Sequence, residues 1–481
     1  MLPDEESRET TESGGLTSKS VSRREFLKYA GLAGAIVGVG GGLGGLLAAC
    51  GGTTTTTAGP TTTGGPTTTG GPTTTAGSTT TVSAGPTPPS QDKITIGASR
   101  PISGPLSFFE ENGFGPAYKL WAKDVNAAGG INVAGKKLPV EMKVYDDQSN
   151  LDNATRNIIK LIEQDKVDFV FPPTSTAFLY AAAGVCNAKH YILMSGEGGA
   201  TTLEKDMEAG KMPYVFQFLS YSNHNQMPVM ADIITELGIK TASFMYIDDL
   251  HGIEYHSQAQ IYFATAGVKI ISDTAVPSDI KDVSPIVKKI QAENPDLMCS
   301  FQYPQQNGPT VAAMIQLNYN PKALLLGPGG SFQSFYDDFK GAMDGCMFEG
   351  AWSPKSNAAA KAYNDKFIAE YGTVHADYWA GTIYRGQLEF FQQAIEQAAT
   401  LNQDAIADIM RTAHFKTVLS DDTFMNPYQI LDNSAYSGQI GQWQNGFPEV
   451  IDPGPQRTTD KIWYPKPTWA EAPAMSTSST T

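Results

Sequence analysis

Lys93-Ile94-Thr95-Ile96-Gly97-Ala98, then the stretch Gly113–Asn126, then Val140–Tyr145, decide the fold. The first and last runs are short and apolar, as strands are. Between them Tyr118, Trp121, Ala122 and Val125 fall on one face of a helix. The unit then repeats. A helix over Asp152–Gln164 turns Ile158, Leu161 and Ile162 inward, Phe169-Val170-Phe171 is a buried strand, helix Ala177–Lys189 follows, and Tyr191–Met194 is the next strand. After Tyr214–Phe218 a second series begins with helix Met227–Leu237, strand Ala242–Ile247, helix Glu254–Ala266 and strand Val268–Ala275. It continues through helix Ser284–Ala292, strand Leu297–Phe301, helix Val311–Asn318 and strand Ala323–Leu326, with Asn294-Pro295 and Asn320-Pro321 marking turns. Helices over Ala358–Tyr371 and Tyr378–Ala399 lead to a mixed tail. Two runs of alternating strands and helices predict an α/β fold of two doubly wound lobes with parallel-sheet cores. Ligands in such sheets lie beyond the carboxyl ends of the strands, which here means the cleft between lobes.

The residues before this body have another character. Ser22-Arg23-Arg24-Glu25-Phe26-Leu27-Lys28 precedes an uncharged, Gly- and Ala-rich run from Tyr29 to Ala49. The paired Arg23 and Arg24 match the twin-arginine export pattern, and the run fits a signal better than a membrane anchor. It ends Leu47-Ala48-Ala49-Cys50-Gly51, which resembles a lipobox, so Cys50 is expected to carry the lipid. Gly51–Ser90 is Thr, Gly, Pro and Ser with Ala and Val82, a composition that builds no core. Residues 1–49 are therefore an export signal and residues 50–90 a linker, tethering the body to the outer face of a membrane. Gly40–Gly45 satisfies G-x-G-x-x-G, but no strand precedes it, and it carries no nucleotide reading.

Composition narrows the function. The 481 residues hold 34 basic and 49 acidic side chains, a net charge of −15, which disfavours a nucleic-acid partner. Hydrophobic and charged fractions of 41% and 17% are low because the linker dilutes the body. The body has no G-x-S-x-G, H-E-x-x-H, C-x-x-C or P-loop pattern, and no catalytic residue is assigned. His251 and His256, five apart, share a helical face poorly, so no metal or other cofactor is expected. Asp146-Asp147 and Asp248-Asp249 end strands, where acids cap helices or bond loop amides more often than they catalyse. Cys186 reads as a buried small hydrophobe, while Cys299 and Cys346 are a candidate pair in an oxidising compartment.

Asp124-Val125-Asn126-Ala127-Ala128-Gly129-Gly130-Ile131, then Leu138 and Tyr145-Asp146-Asp147, resembles the periplasmic branched-chain amino-acid-binding proteins, the type I solute-binding proteins of ABC importers. Ile102–Pro105, Pro213–Phe216 and Leu326-Gly327-Pro328 add to the likeness, in order, between Lys93 and Val450. The resemblance implies a three-crossover hinge, with lobe one built from 92–218 and 352–425, lobe two from 219–351 and 426–460, and a tail over 461–481. It implies that Ser175 and Thr176, with Gly198, Ala200 and Thr201, hold a ligand carboxylate, as hydroxyls and amides at a helix start can. It places Phe109, His251 and Tyr303 as the surrounding rings, His251 being a departure from an aromatic residue. Where the family has an acid for the ligand's ammonium, this chain has Gly329. Either another acid substitutes, Glu197 being the candidate if it does not face solvent, or the ligand lacks an amine. The implied function is capture of a branched-chain or hydrophobic amino acid, or a related small carboxylate, for an ABC permease, the departure at Gly329 leaving open an amine-free ligand such as an aromatic acid or amide. A ligand sensor serving a signalling partner is the reading from another class.

Overall fold

The structure is a computed structural model that describes residues 86–219, 226–350 and 352–469. Arg23, Arg24 and Cys50, with the whole export signal and most of the linker, lie outside the described residues. Among the described residues no helix is long and apolar enough to cross a membrane.

In lobe one, β1 (Ile94–Arg100) leads to α1 (Ser107–Glu111), α2 (Phe114–Ala127), the hairpin β2 (Ile131–Val133) and β3 (Lys136–Leu138), and β4 (Val140–Asp146). Then come α3 (Leu151–Glu163), β5 (Phe169–Phe171), α4 (Thr176–Ala188), β6 (Leu193–Ser195), α5 (Thr201–Glu208) and β7 (Val215–Gln217). β1 lies between β4 and β5, all parallel, and β6 pairs with β7. Ile94, Ile96 and Ala98 are completely buried because helices cover both faces of the sheet.

Lobe two begins with α6 (Gln226–Leu237) and runs through β8 (Thr241–Ile247), α7 (Leu250–Thr265), β9 (Lys269–Val276), α8 (Ser284–Glu293) and β10 (Leu297–Phe301). It continues with α9 (Pro304–Gln316), β11 (Ala323–Leu326), α10 (Gln333–Phe339) and β12 (Met347–Glu349). The chain returns to lobe one for α11 (Ala358–Tyr371), α12 (Ala380–Ala398) and α13 (Gln403–Thr412), α12 packing against α2. It ends in lobe two with the hairpin β13 (Ile440–Gln444) and β14 (Phe447–Val450). The seven-stranded order is β14-β13-β12-β11-β10-β8-β9, parallel from β12 to β9.

Strand order places the cleft. β1 has β4 on one side and β5 on the other, and β8 has β9 and β10. Each is a point where successive connections leave in opposite directions, opening a crevice at the strands' carboxyl ends. The loops after β1, β5, β8 and β10 meet there.

Several sequence expectations are corrected. Residues 426–431 belong beside β7: Gln217 N donates to Gln429 O at 2.9 Å, Leu431 N donates to Gln217 O at 2.8 Å, and Ile430 is buried among lobe-one side chains. The last crossing therefore lies between Leu431 and Ile440. Residues 461–469 pack on lobe two rather than trail from it, with Lys466 N on Lys322 O at 2.8 Å and Trp469 Nε1 on Tyr319 O at 2.9 Å. α7 starts at Leu250 because the Asp249 side chain accepts from Gly252 N at 3.0 Å, and α9 starts at Pro304, running through Pro309. Cys299 and Cys346 are free and buried. β11 separates β10 from β12, which puts the two cysteines about two strand spacings (~10 Å) apart and out of disulfide reach.

Candidate functional site

The loops converge on a narrow cavity between the lobes, of about 20 Å³. Phe109, Ser175, Thr176, Glu197, Gly198, His251 and Tyr303 line it. Ala200, Thr201 and Gly329 do not appear on its wall. Ala200 packs into the lobe-one core, and Thr201 N donates to Glu254 Oε2 of α7 at 3.0 Å, a bond across the cleft. Gly329 has φ 103° and presses on the Pro304 ring, where an added Cβ would sit 2.7 Å from Cγ; its neighbour Pro328 takes the wall. Phe114, Thr174, Leu219 and Trp379 complete the lining and were not singled out from sequence.

Ser175 and Thr176 stand at the amino terminus of α4, whose first-turn N–H groups lack helical partners and favour an anion. Ser175 has φ 88°, a strained conformation for a residue with a side chain. Its N–H donates to Glu197 O at 3.1 Å, and its hydroxyl lies 3.1 Å from the Tyr303 hydroxyl of the other lobe. Gly198 lets the loop approach, since a Cβ there would lie 3.0 Å from Thr176 N. The lobes are thus closed on each other.

Beneath this floor Arg100, at the end of β1, is completely buried. Its Nε donates to Glu110 Oε2 at 2.8 Å, and its Nη1 donates to Pro172 O at 3.0 Å and to Glu197 Oε1. The other Glu197 oxygen accepts from Thr174 Oγ1 at 2.6 Å. Glu110 also accepts from the Tyr118 hydroxyl at 2.8 Å and from Lys119 Nζ at 3.0 Å. Burial works to raise the Glu110 pKa, but Arg100 and Lys119 outweigh it and hold the group below the usual range. At Glu197 burial outweighs Arg100 and Thr174, and the pKa is raised. Glu197 therefore does not face solvent, and both its oxygens are engaged.

His251 is stacked on Tyr303 with ring centroids 4.8 Å apart, and Phe109 meets the same Tyr303 edge-on at 6.0 Å. Burial pulls the His251 pKa down to about 3, so the ring is neutral. The other candidate groups have structural duties. Asp147 accepts from Ser149 N at 2.9 Å, Asp146 from Gln148 N at 2.8 Å, and His256 pairs with Asp273 at 3.0 Å. Among the described residues no three metal-ligating side chains gather. Hydroxyls, amides and rings line the cavity.

Residues 93–446 match the periplasmic binding protein family. The chain belongs to that family. A curated relative is Leu/Ile/Val-binding protein homolog 8 of Brucella abortus, 23% identical over 317 residues, covering 62% of this chain and 75% of the relative. Among solved structures, a solute binding protein of an ABC transporter from Rhodopseudomonas palustris, in complex with 3,4-dihydroxybenzoic acid, aligns with TM-score 0.64 and 18% identity over 75% of this chain and 96% of that one. The branched-chain amino acid transporter substrate binding protein LivJ from Streptococcus pneumoniae, in complex with isoleucine, aligns with TM-score 0.63 and 19% identity over 75% and 100%. The two lobes have the type I periplasmic binding protein fold.

In this periplasmic binding protein the neutral His251 makes a pH prediction. Unfolded, the ring protonates near its ordinary 6.5; folded, it resists protonation until about 3. Acidification from pH 7 to 5 therefore favours the unfolded chain at this group. Wild type should lose about 2 kcal/mol relative to His251→Gln over that interval, read by urea unfolding at both pH values. An unchanged difference would show that the ring is not buried neutral.

Proposed function

We propose that this chain is an extracytoplasmic solute-binding lipoprotein of an ABC importer, and that its solute is a small carboxylate without an amine, an aromatic acid first. One observation carries the solute class. Glu197 is the only carboxylate on the cavity wall among the described residues, and both its oxygens are taken by Arg100 and Thr174. With no second acid on the wall among the described residues, a bound amine would be buried without a free counter-charge, which is costly. The carboxylate is assigned to Ser175, Thr176 and Gly198, and the ring to Phe109, Phe114, His251 and Tyr303. The solute stabilises the closed state by touching both lobes, and the closed protein delivers it to the permease. Export by the Arg23-Arg24 signal and lipid on Cys50 keep the protein on the outer face of the membrane.

An aliphatic amino acid is the competing solute, favoured by the names of the Brucella relatives and by LivJ. Thermal-shift screening of the purified chain separates them. Aromatic acids should raise the melting temperature, a ligand at 100 times its Kd adding about 2.7 kcal/mol. Stabilisation by leucine or isoleucine, with none by the acids, would replace the proposed solute. For the anchor, Cys50→Ala should move the protein from the membrane fraction to the soluble fraction, and continued retention would contradict lipid attachment at that residue.

A further inference from the structure

α5 begins without a cap of its own. Ala200 stands at its N-cap position in extended backbone. Alanine is among the poorest residues there, because the first N–H groups of a helix need an acceptor and its side chain has none. By contrast α3, α11 and α13 are capped by the residue that precedes them, Asn150, Asn357 and Asn402. The chain that enters α5 is the loop that lines the cavity with Glu197 and Gly198. How α5 is held therefore bears on where that loop lies.

The missing acceptor comes from the other lobe. Glu254 of α7 accepts from Thr201 N at 3.0 Å through Oε2, and from the Thr202 hydroxyl at 3.5 Å through Oε1. Both donors belong to lobe one, and Glu254 is buried between the lobes. A carboxylate at a helix amino terminus also meets the positive end of the helix dipole. α7 does not need Glu254 for itself, since Asp249 caps it from within lobe two by accepting from Gly252 N at 3.0 Å. The same helix reaches the cavity: His251, one turn before Glu254, lines the wall and stacks on Tyr303.

We infer that Glu254 is a positioning residue of the site: it caps α5 across the cleft when the lobes are closed, and so ties the Glu197–Ala200 loop to lobe two. Opening the cleft withdraws the acceptor from Thr201 N and leaves α5 with Ala200. The loop that lines the cavity is then firm in the closed state and looser in the open one. A solute that favours closure and the order of this loop reinforce each other. The inference holds for any such solute and does not depend on the carboxylate reading.

Two measurements on the full purified chain, with no ligand added, test this: amide hydrogen exchange over the first turn of α5, and the radius of gyration from small-angle X-ray scattering. Glu254→Ala should speed exchange at that turn about 5-fold, the worth of one helix cap, and should enlarge the radius of gyration as the lobes part. Adding Ala200→Ser to that variant gives α5 an acceptor inside lobe one. The double variant should recover slow exchange and keep the larger radius. Unchanged exchange in Glu254→Ala would overturn the cap. Faster exchange at an unchanged radius, or recovery of both by Ala200→Ser, would reduce Glu254 to a prop for one helix and overturn the tie between lobes. Glu254→Gln keeps the shape and an acceptor oxygen, which guards against a variant that does not fold. It should fall between wild type and Glu254→Ala, and exchange as fast as in Glu254→Ala would count against the cap.

Discussion

The buried guanidinium of Arg100 sets the conditions for the rest of the site. A charge taken fully out of water is tolerated only with partners, and Arg100 draws them from separate parts of lobe one: Glu110 of α1, the Pro172 carbonyl after β5, and Glu197 of the loop after β6. Holding these three together fixes the end of β1 against the floor on which Ser175 and Thr176 stand. The arrangement has a chemical consequence as well. It spends the charge of Glu197 inside the protein, so the acid nearest the cavity serves the fold before it can serve a ligand.

The cleft follows from topology with few further assumptions. Each sheet reverses its winding beside one strand, β1 in lobe one and β8 in lobe two, and the connections that follow carry Phe109, Ser175, His251 and Tyr303 to a common space. Closure then depends on contacts that neither lobe makes alone. Ser175 meets Tyr303 through hydroxyls, and Glu254 of lobe two receives the first N–H of α5 in lobe one. A ligand that adds contacts to both faces shifts the balance further toward the closed form.

Much of this was legible in the sequence, for identifiable reasons. Parallel strands buried on both faces read as unbroken apolar runs, so Phe169–Phe171, Leu297–Phe301 and Ala323–Leu326 stood out, while Ser175 and Thr176 followed from the family resemblance rather than from a local pattern. Helix starts were harder. Asp249 caps α7 before a His-Gly pair, and α9 begins at Pro304 and passes through Gly308-Pro309, a dipeptide that local propensity reads as a break. The three-residue β12 has too few residues to show a period. Arg100 and Glu254 were silent for a different reason. Whether an arginine after a strand is buried depends on Glu197, 97 residues away, and whether a carboxylate caps a helix of the other lobe depends on the whole fold. Pairing across such distances leaves no local pattern.

The proposed solute is a carboxylate bound in a cleft that, among the described residues, offers no free counter-charge for an amine. Isoleucine and its deaminated counterpart, 3-methylpentanoate, differ in that one group. Their affinities for the purified chain, measured side by side by isothermal titration, separate the two solute classes. 3-Methylpentanoate should bind at least as tightly as isoleucine. Tight binding of isoleucine that is lost when the amine is removed would contradict the proposed solute class.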